Sequence, residues 1–254
     1  MLDIITIVHD NWMLLLLGQY PNGPLGGIVC TLLISLLAMA FALPLGIVLG
    51  LARIAPFRWL SWPAACWVYL LRGIPLLMVV FWTYFCVPLL LGHNISGFAT
   101  MLCTLVIYES AYIAEIVRGG IQALSAGQYE ASRALGMSYG KTFRLVILPQ
   151  ALFNTLPSLV SQLISIIKDS TLGYVINVPE LTFAANQVNN QLLTKPFQVF
   201  AIVAAVYYLL GFCLNWLANR LERHVTRKSN RQTGEKTVNI AATDQNTIIM
   251  KELI

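Results

Sequence analysis

The chain has 254 residues, of which 57% are hydrophobic and only 11% charged, and its mean hydropathy is +0.71. Soluble domains carry roughly twice that charged fraction, so an ordinary water-soluble domain is excluded and the expected class is an all-α, polytopic membrane bundle. The formal net charge of +5 calls for no nucleic-acid partner, because the placement of the basic residues along the chain accounts for it.

Residues 1–24 form an N-terminal external or interfacial segment. Its two apolar runs, Ile4–Val8 and Trp12–Leu17, are split by His9, Asp10 and Asn11. Neither reaches the roughly 20 residues needed to cross a bilayer, and an interfacial helix with Trp12 at the headgroups is expected. Asp3 and Asp10 stand where a cleavable signal peptide would carry basic residues. Tyr20-Pro21-Asn22-Gly23-Pro24 ends the segment as a turn.

A transmembrane domain over 25–222 follows, with about five spans. The first, about 28–51, carries no charge; Pro44 lies inside it, and Gly46 and Gly50 make a small-xxx-small pair suited to close helix packing. The apolar, Trp-rich stretch 59–71 reads as an interfacial approach helix or as an extended start to the second span. Arg72-Gly73-Ile74-Pro75 marks the turn into that span, about 74–91. The third span, about 97–117, contains Glu109 and Glu115. A polar segment, with its loop at about 121–144, separates it from the fourth span, about 145–167, which carries Pro149, Asn154, Pro157 and Gln162. Residues 168–196 are a polar connection, the fifth span is about 197–219, and 223–254 read as a polar, disordered tail.

Five spans with the N-terminus outside and the C-terminus inside place 14 of the 16 lysines and arginines on the inner side, leaving only Lys168 and Lys195 outside. The positive-inside rule selects that orientation and puts the 121–144 loop in the cytoplasm. Five cysteines, all in apolar stretches, odd in number and without a CxxC pair, read as free thiols. No metal site and no catalytic motif are expected: His9, His93 and His224 are scattered, and no HExxH or GxSxG occurs. Gly136 to Thr142 approaches a phosphate-binding loop, but three residues separate Gly136 from Gly140 where four are needed.

Glu109 is the residue least at home in a span, since a charged carboxylate at the helix centre costs about 2.5–3.5 kcal/mol. It reads either as a contact for the ammonium group of a substrate or as a packing carboxyl supported by Tyr108, Ser110 or Tyr112. Glu115 and Arg118, spaced i, i+3, suit a structural pair at the inner end of the helix. Lys168 and Asp169, followed by Ser170 and Thr171, would pair with each other or meet a zwitterionic ligand. A proton-linked carboxylate at Glu109 or Asp169 would instead suit a stand-alone, ion-gradient-driven secondary transporter, although the two similar halves common in that class are not found.

Between Tyr129 and Pro149 the chain shows Glu130-Ala131-Ser132, then Gly136 after three residues, then Val146-Ile147-Leu148-Pro149 after nine more. This resembles the coupling loop of ATP-binding-cassette (ABC) importer permeases, EAA, three residues, G, nine residues, I-x-L-P, with Ser132 in place of the second Ala and Val146 in place of Ile. Arg72-Gly73-Ile74-Pro75-Leu76-Leu77, Ala111-Tyr112-Ile113-Ala114-Glu115 with Arg118-Gly119-Gly120-Ile121, Gly127-Gln128-Tyr129, and Leu148-Pro149-Gln150-Ala151 look like the signatures of the polar amino-acid permeases, the histidine, glutamine and glutamate type. Lys168 to Leu172 resembles that family's KDTSL with Ser and Thr exchanged, and Ser161 stands where Asn is common.

The resemblance covers roughly residues 20–225. It implies a multi-pass protein of the bacterial inner membrane that is not itself an enzyme and binds no cofactor. ATP and magnesium would sit on two separate ATPase subunits that meet Glu130, Ala131, Ser132, Gly136, Leu148 and Pro149. It further implies a second permease chain, an external solute-binding protein, and surrounding membrane lipid. The substrate class is polar amino acids, with glutamate, aspartate or glutamine favoured. Glu109, Lys168, Asp169, Ser170 and Thr171 are the expected pathway residues, while Arg72, Gly73, Pro75, Glu115 and Arg118 are the expected structural ones.

Overall fold

The protein is described from a computed structural model covering residues 2–220; the tail expected over 223–254 lies outside the described residues. The elements are α1 (Leu2–Leu17), α2 (Gly27–Ile54), α3 (Arg58–Gly73), α4 (Leu76–Leu91), α5 (Gly97–Gln122), α6 (Ala126–Ala134) and α7 (Tyr139–Thr142). A π-helical turn (Phe143–Ile147) leads into α8 (Leu148–Asp169), followed by a 3-10 segment (Ser170–Ile176) and α9 (Leu181–Leu192). The last described helix, α10, spans Pro196–Arg220. The all-α membrane bundle read from composition is the fold. Among the described residues four stretches are long and apolar enough to cross a membrane: α2, α5, the run from Tyr139 to Ile176, and α10. The bent pair of α3 and α4 makes a fifth where the two are counted as one span.

α5 is the central strut. On one side it meets α2, where a Cβ on Gly46 would stand 2.6 Å from Ile113 Cγ2 and one on Gly50 would stand 2.9 Å from the Ala114 carbonyl. On the other it meets α8, where a Cβ on Gly120 would stand 2.3 Å from Thr155 Cγ2. Without side chains at these points the backbones close to a distance at which dispersion contacts, rather than any hydrophobic drive, hold helices in lipid. The main core joins Ile34 and Ala38 of α2 to Val80 of α4, Met101 and Leu105 of α5, Ile166 of α8 and Val178. A second cluster, with Ile7 and Leu15 of α1, Ala185 and Val188 of α9, and Val199 and Ile202 of α10, closes the end of the bundle remote from α6.

One sequence expectation is narrowed and one changes. The stretch read as an approach helix or an extended start to the second span is a separate helix, α3, which meets α4 at 103°. Pro75 has no N–H to donate and holds Ile74 extended, at φ −105° and ψ 137°. The fourth span begins earlier than the expected 145. It runs on from Tyr139, and the wider π turn takes up the mismatch, with Leu148 N–H reaching back five residues to Phe143 O. Pro149 then sits in the first turn of α8, where an N–H is not required.

Candidate functional site

Midway along α5, Glu109 is fully buried. Its neighbours in sequence do not support it. Adjacent side chains on a helix point about 100° apart, so Tyr108 turns to the α3–α4 break, where its hydroxyl donates to Ile74 O at 3.3 Å and lies 3.1 Å from the Tyr112 hydroxyl. Ser110 Oγ donates to Ile107 O instead. The partner of Glu109 is Gln162 of α8, whose Nε2 donates to Oε2 at 2.5 Å. Oε1 meets no N–H donor among the described residues, and its polar neighbour is the Asp169 carboxyl.

Asp169, the last residue of α8, lies beside Glu109. The expected Lys168–Asp169 pair is not among the ion pairs of the described residues; Lys168 is exposed, because one step along α8 swings it away from the bundle. Ser170 is buried, its Oγ donating to Ile167 O at 2.8 Å, and Thr171 is half-buried. Of the five pathway residues, the fold therefore brings Glu109 and Asp169 together and adds Gln162.

Toward the α6 end of the bundle, Glu115 gathers three helices. Arg118 donates from Nε to Oε1 at 3.1 Å and also from Nη2. Arg53 of α2, its side chain only 6% exposed, donates to Oε2. Arg72 of α3 approaches Oε2 to 3.7 Å. The guanidinium groups of Arg53 and Arg72 lie over the rings of Tyr69 and Tyr112, at 5.1 and 5.3 Å. The i, i+3 pair read from sequence is thus one part of a larger junction.

α6 projects beyond this junction. Glu130, Ala131, Ala134 and Gly136 are exposed, as is Leu135 at 83%, whereas Ser132 is buried and donates to Gln128 O at 2.8 Å. Gly136, at φ +80°, ends the helix in the left-handed conformation that glycine adopts without strain. Rings of Tyr129, Tyr139 and Phe143 stack with centroids 4.5–6.4 Å apart and hold α6 to the start of the next crossing. Leu148 is half-buried and Pro149 exposed one turn further on.

Sequence reasoning gave Glu180 no role, because it lay in a stretch read only as a polar connection. It is fully buried. Its carboxylate accepts from Thr182 N at 2.7 Å and Phe183 N at 2.9 Å, capping α9, and from the Tyr207 hydroxyl of α10 at 3.0 Å. Next to it, Gly27 N donates to Pro179 O and Leu181 N donates to Thr31 Oγ1, so α2, α9 and α10 meet here. Burial pushes the Glu180 carboxyl up to about 7, against the opposing pull of those hydrogen bonds. An acid raised in this way stabilises the fold fully below its unfolded value of about 4.3, and the contribution is lost as pH rises through the folded value. The thermal midpoint of the purified protein is therefore expected to fall between pH 5 and pH 8, and Glu180→Gln is expected to flatten that dependence. An unchanged slope in the variant would remove Glu180 as its source.

Crossing helices packed around a buried Glu109 beside a half-buried Asp169, with a short polar helix projecting from one end, suit a helical membrane transport component. Residues 42–227 match the family described as binding-protein-dependent transport system inner membrane component, and the chain belongs to that family. It is a multi-pass inner-membrane permease of the ABC amino-acid type. It is 35% identical over 198 residues to the probable glutamine ABC transporter permease protein GlnP of Bacillus subtilis, covering 77% of this chain and 90% of that one. It is 37% identical over 209 residues to the glutamate transport system permease protein GluD of Corynebacterium glutamicum, covering 79% and 74%. A solved amino-acid ABC transporter with histidines superposes with a TM-score of 0.71 at 33% identity, over 78% of this chain and 92% of that one.

Proposed function

We propose that this chain is the membrane-spanning subunit of an ATP-driven importer for a polar amino acid, oriented with its N-terminus outside and its C-terminus inside. It forms the pathway with a second permease chain and receives its ligand from an external solute-binding protein. Through α6 it meets one of two ATPase subunits, which hold the ATP and magnesium. The observation that carries this reading is α6 itself, a short helix with Glu130, Ala131 and Leu135 exposed, braced by an aromatic stack against the next membrane crossing. ATP binding on one side and loaded binding protein on the other would bias a two-state bundle.

Glu109 and Asp169 supply the pathway's polar point. Two carboxyls side by side, with no N–H donor on Oε1 of Glu109 among the described residues, suit the ammonium group that every amino acid carries. The relatives named for glutamine, for glutamate and for glutamate/aspartate support glutamine, glutamate or aspartate as the ligand.

The test is uptake of a labelled amino-acid panel in cells lacking the gene and in cells with it restored. One class of polar amino acid is expected to lose ATP-dependent uptake on deletion and regain it with the wild type. Uptake that survives ATP depletion and collapses with the proton gradient would replace the importer with a secondary transporter. Glu109→Gln keeps the size of the side chain but removes the charge. It is expected to lower uptake about tenfold, the value of one hydrogen bond to a charged group, at unchanged membrane insertion. Wild-type uptake by this variant takes Glu109 out of the pathway.

A further inference from the structure

The junction at Glu115 holds more positive charge than its one carboxylate can neutralise. Both Glu115 oxygens are engaged, Oε1 by Arg118 and Oε2 by Arg53. Arg72 stands 3.7 Å from Oε2, outside hydrogen-bond range, with its side chain 36% exposed. Three guanidinium groups therefore share one carboxylate, in surroundings where Arg53 is almost wholly removed from solvent. Excess charge at such a point needs a counter-ion. The planar fork of Arg72, backed by the Tyr112 ring, matches the oxygens of a phosphate, which accept two parallel N–H bonds.

The helix carrying Arg72 indicates where that phosphate comes from. α3 is turned by 103° from α4 and packs Ala64, Val68 and Leu71 inward. Outward it exposes Trp59 at 74%, Trp62 at 73% and Tyr69 at 64%. Tryptophan and tyrosine favour the headgroup layer, where an apolar ring and a polar tip are both satisfied. A cluster of arginines on adjoining helices, beside such rings, has its charge and its apolar demand met together by a phosphate that carries acyl chains.

We propose that Arg72, with Arg53 and Arg118 behind it, forms a binding site for the phosphate of an anionic phospholipid at the α6 end of the bundle. The bound headgroup completes the charge balance of the junction and anchors α3 in the interface. The inference needs only a membrane around the chain and stands apart from the choice of substrate.

The test uses the full chain purified as the assembled transporter in neutral detergent. Binding of phosphatidylglycerol, phosphatidylcholine and inorganic phosphate is followed by native mass spectrometry and by thermal midpoint. Phosphatidylglycerol is expected to bind more tightly than phosphatidylcholine and to raise the midpoint further. Arg72→Gln is expected to weaken phosphatidylglycerol about fivefold, the effect of one arginine near a membrane surface. Arg58→Gln, which changes an exposed arginine at the far end of α3, is expected to leave binding unchanged. Arg72→Lys keeps the charge if the glutamine variant does not fold, and loses the fork; a smaller but measurable weakening is expected. Equal binding of the two lipids, or wild-type binding by both Arg72 variants, overturns the site. Inorganic phosphate that reproduces the stabilisation and displaces the lipid overturns the lipid as its occupant.

Discussion

Charge reversal at Glu130 is expected to leave the protein folded and inserted while reducing ATP-driven uptake at least about thirtyfold, as loss of an interface residue worth 2 kcal/mol or more does. Glu130 is exposed on α6. The contacts that fix the helix belong to others: Ser132 to Gln128 O, Arg133 Nη1 to Met137 O, and Tyr129 in its aromatic stack. A surface change outside such contacts shifts stability by about 0.5 kcal/mol or less, so Glu130→Arg separates docking from folding. Two readouts are needed, uptake of the amino acid that the wild type restores and the yield of ATPase co-purified with the chain. Both are expected to fall. Full uptake would place the coupling contact elsewhere, while leaving the importer reading to stand on its own ATP dependence. Retained ATPase with lost uptake would assign Glu130 to transmission rather than to attachment.

The sequence made the crossings legible because lipid demands long charge-free runs, and the residues that interrupt them do so for local reasons. Arg72-Gly73-Ile74-Pro75 marked the break before α4, and Gly136 marked a helix end, since proline and glycine act on their own backbone. The angle at that break was not legible, because the packing of Val68 and Leu71 on Ala111 and Ala114 sets it. The buried polar contacts follow the same division. Arg118 could be read as the partner of Glu115 from their spacing along one helix. Arg53 could not, because it arrives from 62 residues away, and neither could Gln162, 53 residues from Glu109. Glu180 escaped notice for a related reason. Its two amide donors are local, but its burial comes from Thr31 and Tyr207, far off on α2 and α10.

Glu115→Ala is the change expected to cost the fold most. It deletes the carboxylate paired with Arg53 among the described residues, where the Arg53 side chain is 6% exposed, and strands a guanidinium that cannot give up its proton. Breaking a buried pair by removing one partner costs about 3–5 kcal/mol. Glu115 is itself 26% exposed, which lets water recover part of that, so the lower end, about 3 kcal/mol, is expected, or on the order of 6–12 °C in thermal midpoint. Glu115→Gln keeps an acceptor for Arg53 and is expected to fall between the alanine variant and wild type. The double change Arg53→Leu with Glu115→Ala discriminates between two origins of the loss. If the cost is an unpaired charge, removing that charge restores most of the midpoint, because an apolar side chain replaces a buried ion pair at little net cost. If the double variant is no more stable than Glu115→Ala, the loss comes instead from the packing of α2 against α5 near Gly50 and Val117, and Glu115 holds the helices by shape rather than by charge.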